Sequence, residues 1–225
     1  MTSTILATFD SVEDANDAIH ELMESGFDRS DIGLAMFDRD NVYHNYTADG
    51  EDVTPSEGGS FGGKLGMILG AVVGLGAITI PGIGPIIAAG PLAGALGAVT
   101  GGAIGAAAGV ATGNITASLI DLGVPETEAG YYAESLRRGS ALVSVNVYDT
   151  DADRATSILR SFNPVDLDKR VSHWREQGWK GYDPNADPYT DDDLSRFEQN
   201  RPVYDMDEQE EYDEYAGAVR RYPRS

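Results

Sequence analysis

The residue types best suited to chemistry sit just ahead of the chain's middle, where Gly58-Gly59-Ser60-Phe61-Gly62-Gly63-Lys64-Leu65 nearly spells a phosphate-binding loop. Such a loop needs Ser or Thr after the lysine to hold Mg²⁺, and a strand in front to aim it. Here Leu65 follows Lys64, and Pro55 and Glu57 precede the glycines, so an entry loop is the stronger reading. Gly74-Leu75-Gly76 and Gly82-Ile83-Gly84 both lack the third glycine of a dinucleotide fingerprint. His20, His44 and His173 never pair at ligand spacing, and there is no cysteine, so a zinc site is not expected. Asp187, Asp191, Asp192 and Asp193 crowd together without the alternation, glycine and terminal Glu of a calcium loop. No Ser, His and acid arrangement suggests a nucleophile. The expectation is therefore a protein that is not an enzyme, with no catalytic, cofactor-binding or metal-binding residue.

What the spacing does offer is helix packing. Glycine recurs every fourth position as Gly62, Gly66, Gly70 and Gly74, and again as Gly101, Gly105, Gly109 and Gly113. Four-residue spacing gathers each series on one helix face, where a missing side chain lets another backbone approach closely. Between the series, Pro81, Gly82, Gly84 and Pro85 read as a turn. No charged residue lies between Lys64 and Asp121, in a chain whose formal net charge is -21. The spacing predicts a glycine-zipper helical hairpin over 61–120.

The elements around it read as a small α/β body. Residues 3–9 form a strand, Ser11 caps a helix striped by Val12, Ala15, Ile19 and Leu22, and Gly26 closes it. Asp31 to Phe37 makes the second strand. After the hairpin, Pro125 opens a helix with Ala129, Tyr132, Ala133 and Leu136 on one stripe. Ala141 to Tyr148 alternates as a strand, with Ser144 and Asn146 on its more polar face. A helix through Ala155, Ile158, Leu159 and Phe162 follows, and then a short strand from Val165 to Lys169. The order is that of an α+β, ferredoxin-like split βαβ sandwich, helices on one face and the polar sheet face open. The expected division is 1–60 for the first βαβ half and loop, 61–120 for the hairpin insert, 121–170 for a helix and the second half, and 171–225 for an acidic, Tyr-rich, extended and mostly disordered tail. That tail carries 14 Asp and Glu against 7 Lys and Arg and has few aliphatics with which to build a core.

These motifs resemble a bacterial heat-induced general stress protein family, a small α/β domain with a glycine-rich middle. The matching pieces are Phe9-Asp10-Ser11-Val12-Glu13-Asp14-Ala15, Gly26-Phe27, Ile80-Pro81-Gly82-Ile83-Gly84-Pro85, Gly90-Pro91-Leu92, Leu122-Gly123-Val124-Pro125-Glu126, Tyr131-Tyr132 and Gly139. The resemblance covers roughly residues 3 to 170. It implies a stress-induced protein of the bacterial cytoplasm or membrane surface, and it brings no catalytic residues.

A sequence pI near 4.2 excludes nucleic acid as a partner, since phosphate binding needs clustered Lys and Arg. Met1-Thr2-Ser3-Thr4-Ile5-Leu6 has no basic region ahead of an apolar run, so no signal peptide is expected. The partners implied are further copies of the chain, with a lipid bilayer the equally weighted cover for the hairpin. The place implied is the cytoplasm, at or in the cytoplasmic membrane in the second case. The expected function is a non-enzymatic general stress-response protein that self-associates through its glycine-zipper helical hairpin and is membrane-associated. The alternative is a soluble regulatory or small-ligand-binding ferredoxin-like module that oligomerises the same way.

Overall fold

The computed structural model describes residues 1–38, 76–80, 82–96, 99–100, 115–201 and 217–224. Strand β1 (Thr2–Phe9) leads through Ser11, whose hydroxyl accepts from the Glu13 and Asp14 backbone N–H groups, into α1 (Val12–Glu24). β2 (Ile32–Phe37) follows a 3₁₀ turn. Then come β3 (Gly76–Ile80), β4 (Gly84–Ala89), α2 (Gly90–Leu96) and β5 (Val99–Thr100). α3 (Ile115–Asp121), α4 (Glu126–Arg137), β6 (Ala141–Tyr148) and α5 (Ala152–Arg160) continue the chain. α6 (Leu167–Glu176), α7 (Asp191–Gln199) and β7 (Val219–Arg224) complete it.

The result is mixed α+β, built on one seven-stranded antiparallel sheet in the order β5-β3-β4-β2-β6-β1-β7. Alternation along the strands divides the core in two. Ile5, Ala7, Phe9, Leu34, Val143 and Val145 face α1 and α5. Leu6, Ala35, Ile86 and Leu142 face the other way, under α2, α3, α4 and α6. Helices thus cover both faces, which corrects the expectation of one open polar face. Ser144 is buried beneath Leu92 of α2, and only Asn146, near the strand's end, remains half-exposed. That close cover depends on Gly90, whose φ of +59° and 2.1 Å approach of an added Cβ to the Ile32 carbonyl exclude any side chain.

The predicted helical hairpin is corrected where the structure describes it. Residues 76–80 and 84–89 pair as a β-hairpin, Ile78 opposite Ile86 and Ile80 opposite Gly84. Ile78, Thr79, Ile80, Ile86 and Ile87 are β-branched and suit a pleated sheet, whereas glycine weakens any helix by about 1 kcal/mol per residue. The turn lies where the sequence puts one, with Gly82 at φ +78° and Gly84 at +111°. Pro85 sits inside β4, opposite Thr79, and Pro81 lies outside the described residues. Gly62, Gly66, Gly70, Gly74, Gly101, Gly105, Gly109 and Gly113 also lie outside them.

The C-terminal part differs most. Val165 to Lys169 is not a strand: Val165 donates once to the Thr8 carbonyl, and then Asp166 caps α6. Leu167, Val171 and Trp174 form that helix's buried stripe, a 3.6-residue period continuing past the expected boundary. The tail expected to be extended holds α6 from Val171 onward, α7 and β7. β7 docks on β1 with Ala7 opposite Val219 and Thr2 opposite Arg224.

Arg220 fastens this last strand. It reaches Glu128 of α4 at 2.6 Å and Asp168 of α6 at 2.7 Å, while the Tyr222 hydroxyl donates to the same Glu128 carboxylate. Arg220→Ala leaves Glu128 without its cation and is expected to lower stability by about 2 kcal/mol in thermal or urea melts. Arg221→Ala, on the same strand but in a more exposed pair with Asp149, is expected to cost less than about 1 kcal/mol.

Candidate functional site

The residues most densely bonded to one another lie where α4 ends and the C-terminal helices close over it. Glu134, fully buried, accepts from Arg138 Nε at 2.6 Å and from the Tyr189 hydroxyl at 3.0 Å, and lies 3.6 Å from Arg137. The Arg138 guanidinium lies 4.7 Å from the Trp174 ring centre and 4.4 Å from that of Phe197, and Arg137 stands 4.0 Å over Tyr189. Arg137 also donates to the Asp187 carbonyl. A buried carboxylate needs such partners, and flat guanidinium groups stack on rings as ammonium groups do not.

A second hub adjoins it. Asp10, just after β1, takes two bonds from Arg170, at 2.5 and 3.2 Å, and one from the Ser140 hydroxyl at 3.1 Å. Arg201 donates to the Asp10 carbonyl at 2.9 Å. Arg138, Arg170 and Arg201 together line a cavity of about 20 Å³, room for one water molecule. The arginines of both clusters hold carboxylates and rings already present, while Glu134 Oε2, Arg137 Nε and Arg170 Nε are buried without a hydrogen-bond partner. Their work is to bind residues 167–201 to the body.

Two openings are larger. One, of about 330 Å³, lies between α4 and the loop after α6, with Tyr131, Trp179 and Tyr182 beside Arg175 and Lys180. Arg175 donates to the Tyr131 hydroxyl at 2.7 Å, and burial pushes the Tyr182 phenol up to about 12. The other, of about 380 Å³, opens at the end of the sheet among Thr2, Asp28, Asp31, Asn146, Tyr148 and Arg224.

Several residues weighed in the sequence have structural work. Asp193 closes a capping box with Thr190, and Asp191 and Asp192 occupy the same first turn, so the acidic run is a helix start. His173 pairs with Gln177. The loop at 58–65 and His44 lie outside the described residues. Among the described residues no group of three His, Cys, Asp or Glu is placed to hold a metal. Arg170, Arg201 and Arg220 escaped the sequence reading because each meets its partner across long stretches of chain, whereas Arg137 and Arg138 pair locally with Glu134 and reach Asp187 and Tyr189 some fifty positions on. Compared with known proteins, the chain matches no family model, no curated protein and no solved structure.

Four tyrosines are held above their ordinary range by burial: Tyr132, Tyr182, Tyr189 and Tyr222. Their unfolded counterparts ionise near pH 10, so the unfolded state loses protons first. Stability is expected to be unaffected by these groups below about pH 10 and to fall as pH rises from there toward 12 and above. Urea midpoints across that range test this, together with phenolate absorbance, which is expected to rise in two phases in the folded protein.

Proposed function

We propose that this chain is a non-enzymatic stress-response protein that joins further copies of itself through its charge-free segment. The observation that carries the reading is the contrast between the sheet's two edges. At one edge β7 brings Pro223, which has no N–H to offer, and Arg220, Arg221 and Arg224, all of which discourage an added strand. At the other edge β3, β4 and β5 belong wholly to the uncharged run from 65 to 120, and the two glycine series flank them in sequence. An uncharged run of this length needs a cover, and in a chain of net charge -21 the rest of the surface is poorly suited to supply one.

The finer reading of the fold belongs to the same proposal. The order β7-β1-β6-β2, antiparallel throughout, supports a ferredoxin-like split βαβ core with β7 in the place of the fourth strand and β3-β4-β5 as the insert. The general stress resemblance rests on the motifs of residues 3 to 170. Further copies are favoured over lipid as the cover, because Gly and Ala dominate the second half of the run and drive insertion poorly. Glu57, Asp121 and Glu126 flank the segment and repel anionic headgroups.

Light scattering tests the assembly. The wild-type chain is expected at a multiple of 23.9 kDa, and the double variant Gly70→Leu with Gly105→Leu at a lower mass with an unchanged melting transition of the body. A monomeric wild type, or a variant of unchanged mass, contradicts the proposal. Flotation of the wild type with neutral vesicles would assign the segment to lipid instead.

A further inference from the structure

The cleft at the end of the sheet is independent of the uncharged edge: it lies on β1, β6, β7 and the start of β2, on the far side of the strand order from β3 and β5. The register sets out its floor. Thr2 stands opposite Tyr148 on one side and Arg224 on the other, so these three share a row and a face. Ile32 opposite Val145 carries Asp31 to the level of Asn146, and Asp28 stands just ahead of it across the short turn. Phe27, Asp151 and Arg154 also line the cleft.

Its charges are sorted. Asp151 and Arg154 pair with each other at 3.0 Å, and Arg154 also lies over the Phe27 ring. Asp149, next to Tyr148 in the chain, takes Arg221 and the Ser3 hydroxyl. Among the described residues, that leaves Asp28 and Asp31 without an ion pair at one wall, and Arg224 without one at the opposite wall. Between them Tyr148 is 70% exposed, a flat apolar surface in a protein whose other described tyrosines are at least partly buried. Asp31 and Arg224 are three strand spacings apart and offset by two residues along the strands, about 16 Å at the backbone, and both line the cleft. The volume of about 380 Å³ falls in the range that holds a small organic molecule.

We infer that this cleft binds an elongated zwitterion of about dipeptide length, its ammonium group at Asp28 and Asp31, its carboxylate at Arg224 and its body over Tyr148. A free α-amino acid, with its two charges on one carbon, is too short to meet both walls. A simple cation finds only two carboxylates and faces repulsion from Arg224. The extended chain advances about 3.4 Å per residue, so two residues between free termini span the gap the side chains leave.

Isothermal titration calorimetry at low salt tests this with the dipeptide alanyl-tyrosine, its N-acetyl and C-amide forms, and free alanine. Saturable binding is expected for the uncapped dipeptide alone, with each capped form at least about tenfold weaker. Arg224→Gln is expected to weaken the uncapped dipeptide at least about tenfold while leaving the weak binding of the C-amide unchanged. Asp28→Asn with Asp31→Asn should do the same relative to the N-acetyl form. Asp28 and Arg224 are exposed and Asp31 is half-buried, and unchanged melting curves will show that the variants fold. Capped forms that bind as well as the uncapped peptide, variants that bind it as tightly as wild type, or no saturable binding of the dipeptide at 10 mM (roughly the weak end of small-ligand affinity) would each overturn the assignment.

Discussion

The contact between Arg220 and the carboxylates of Glu128 and Asp168 decides how this sheet ends. Strand β7 has six residues, four of them Arg or Pro, and little apolar surface with which to hold itself against β1. Val219 and Tyr222 are its buried anchors, and Tyr222 shares the Glu128 carboxylate while its hydroxyl meets that of Tyr132 at 3.0 Å. One cation between two helices therefore ties β7, α4 and α6 together. Once β7 is seated, β1 becomes an interior strand, and the edge facing solvent is one that resists further pairing. A side-chain network of this kind contributes to choosing the partner of β1 as well as to stability.

The same logic repeats in the links to α6 and α7. Arg170 and Arg201 converge on Asp10, and Arg137, Arg138 and Tyr189 on Glu134, so polar contacts join the apolar stripe of α6 in fixing the returning segments. This suits a chain in which acids outnumber bases by more than two to one. With so few cations, their placement is selective: five of the arginines bind the C-terminal segments to the body. The uncharged run is served differently. Among the described residues, β3 and β4 enter the second core through Ile80 and Ile86, and β4 pairs with β2 through the backbone.

Much of the first half of the body was legible because local signals carried it. The Ser11 cap, the Ala15–Ile19–Leu22 stripe and the alternation of Ala141 to Val147 need no distant partner to be read. The α4 stripe of Ala129, Tyr132, Ala133 and Leu136 is buried as its spacing required. Misreadings came where two periods competed or partners lay far apart. Around Gly76–Ala89, the four-residue glycine series on either side point to a helical hairpin, while the β-branched residues within it favour strands, and pairing with β2 decides the matter. Leu167 alone reads as the face of a strand, but Val171 and Trp174 make it the start of a helix. For β7 no local signal suffices, because it pairs with β1 more than two hundred positions earlier and Arg220 and Tyr222 meet partners some ninety positions earlier. The cleft beside Tyr148 was invisible for the same reason, since it depends on three strands ending at one level.

The protein thus divides into a charged body closed at β7 and an uncharged segment that departs from the opposite edge. Hydrogen–deuterium exchange as a function of protein concentration separates these roles most directly. Slower exchange in 61–114 as concentration rises, with β1, β6 and β7 unchanged, is the predicted result. Exchange in 61–114 that is independent of concentration, or protection that rises instead along β7, would contradict it.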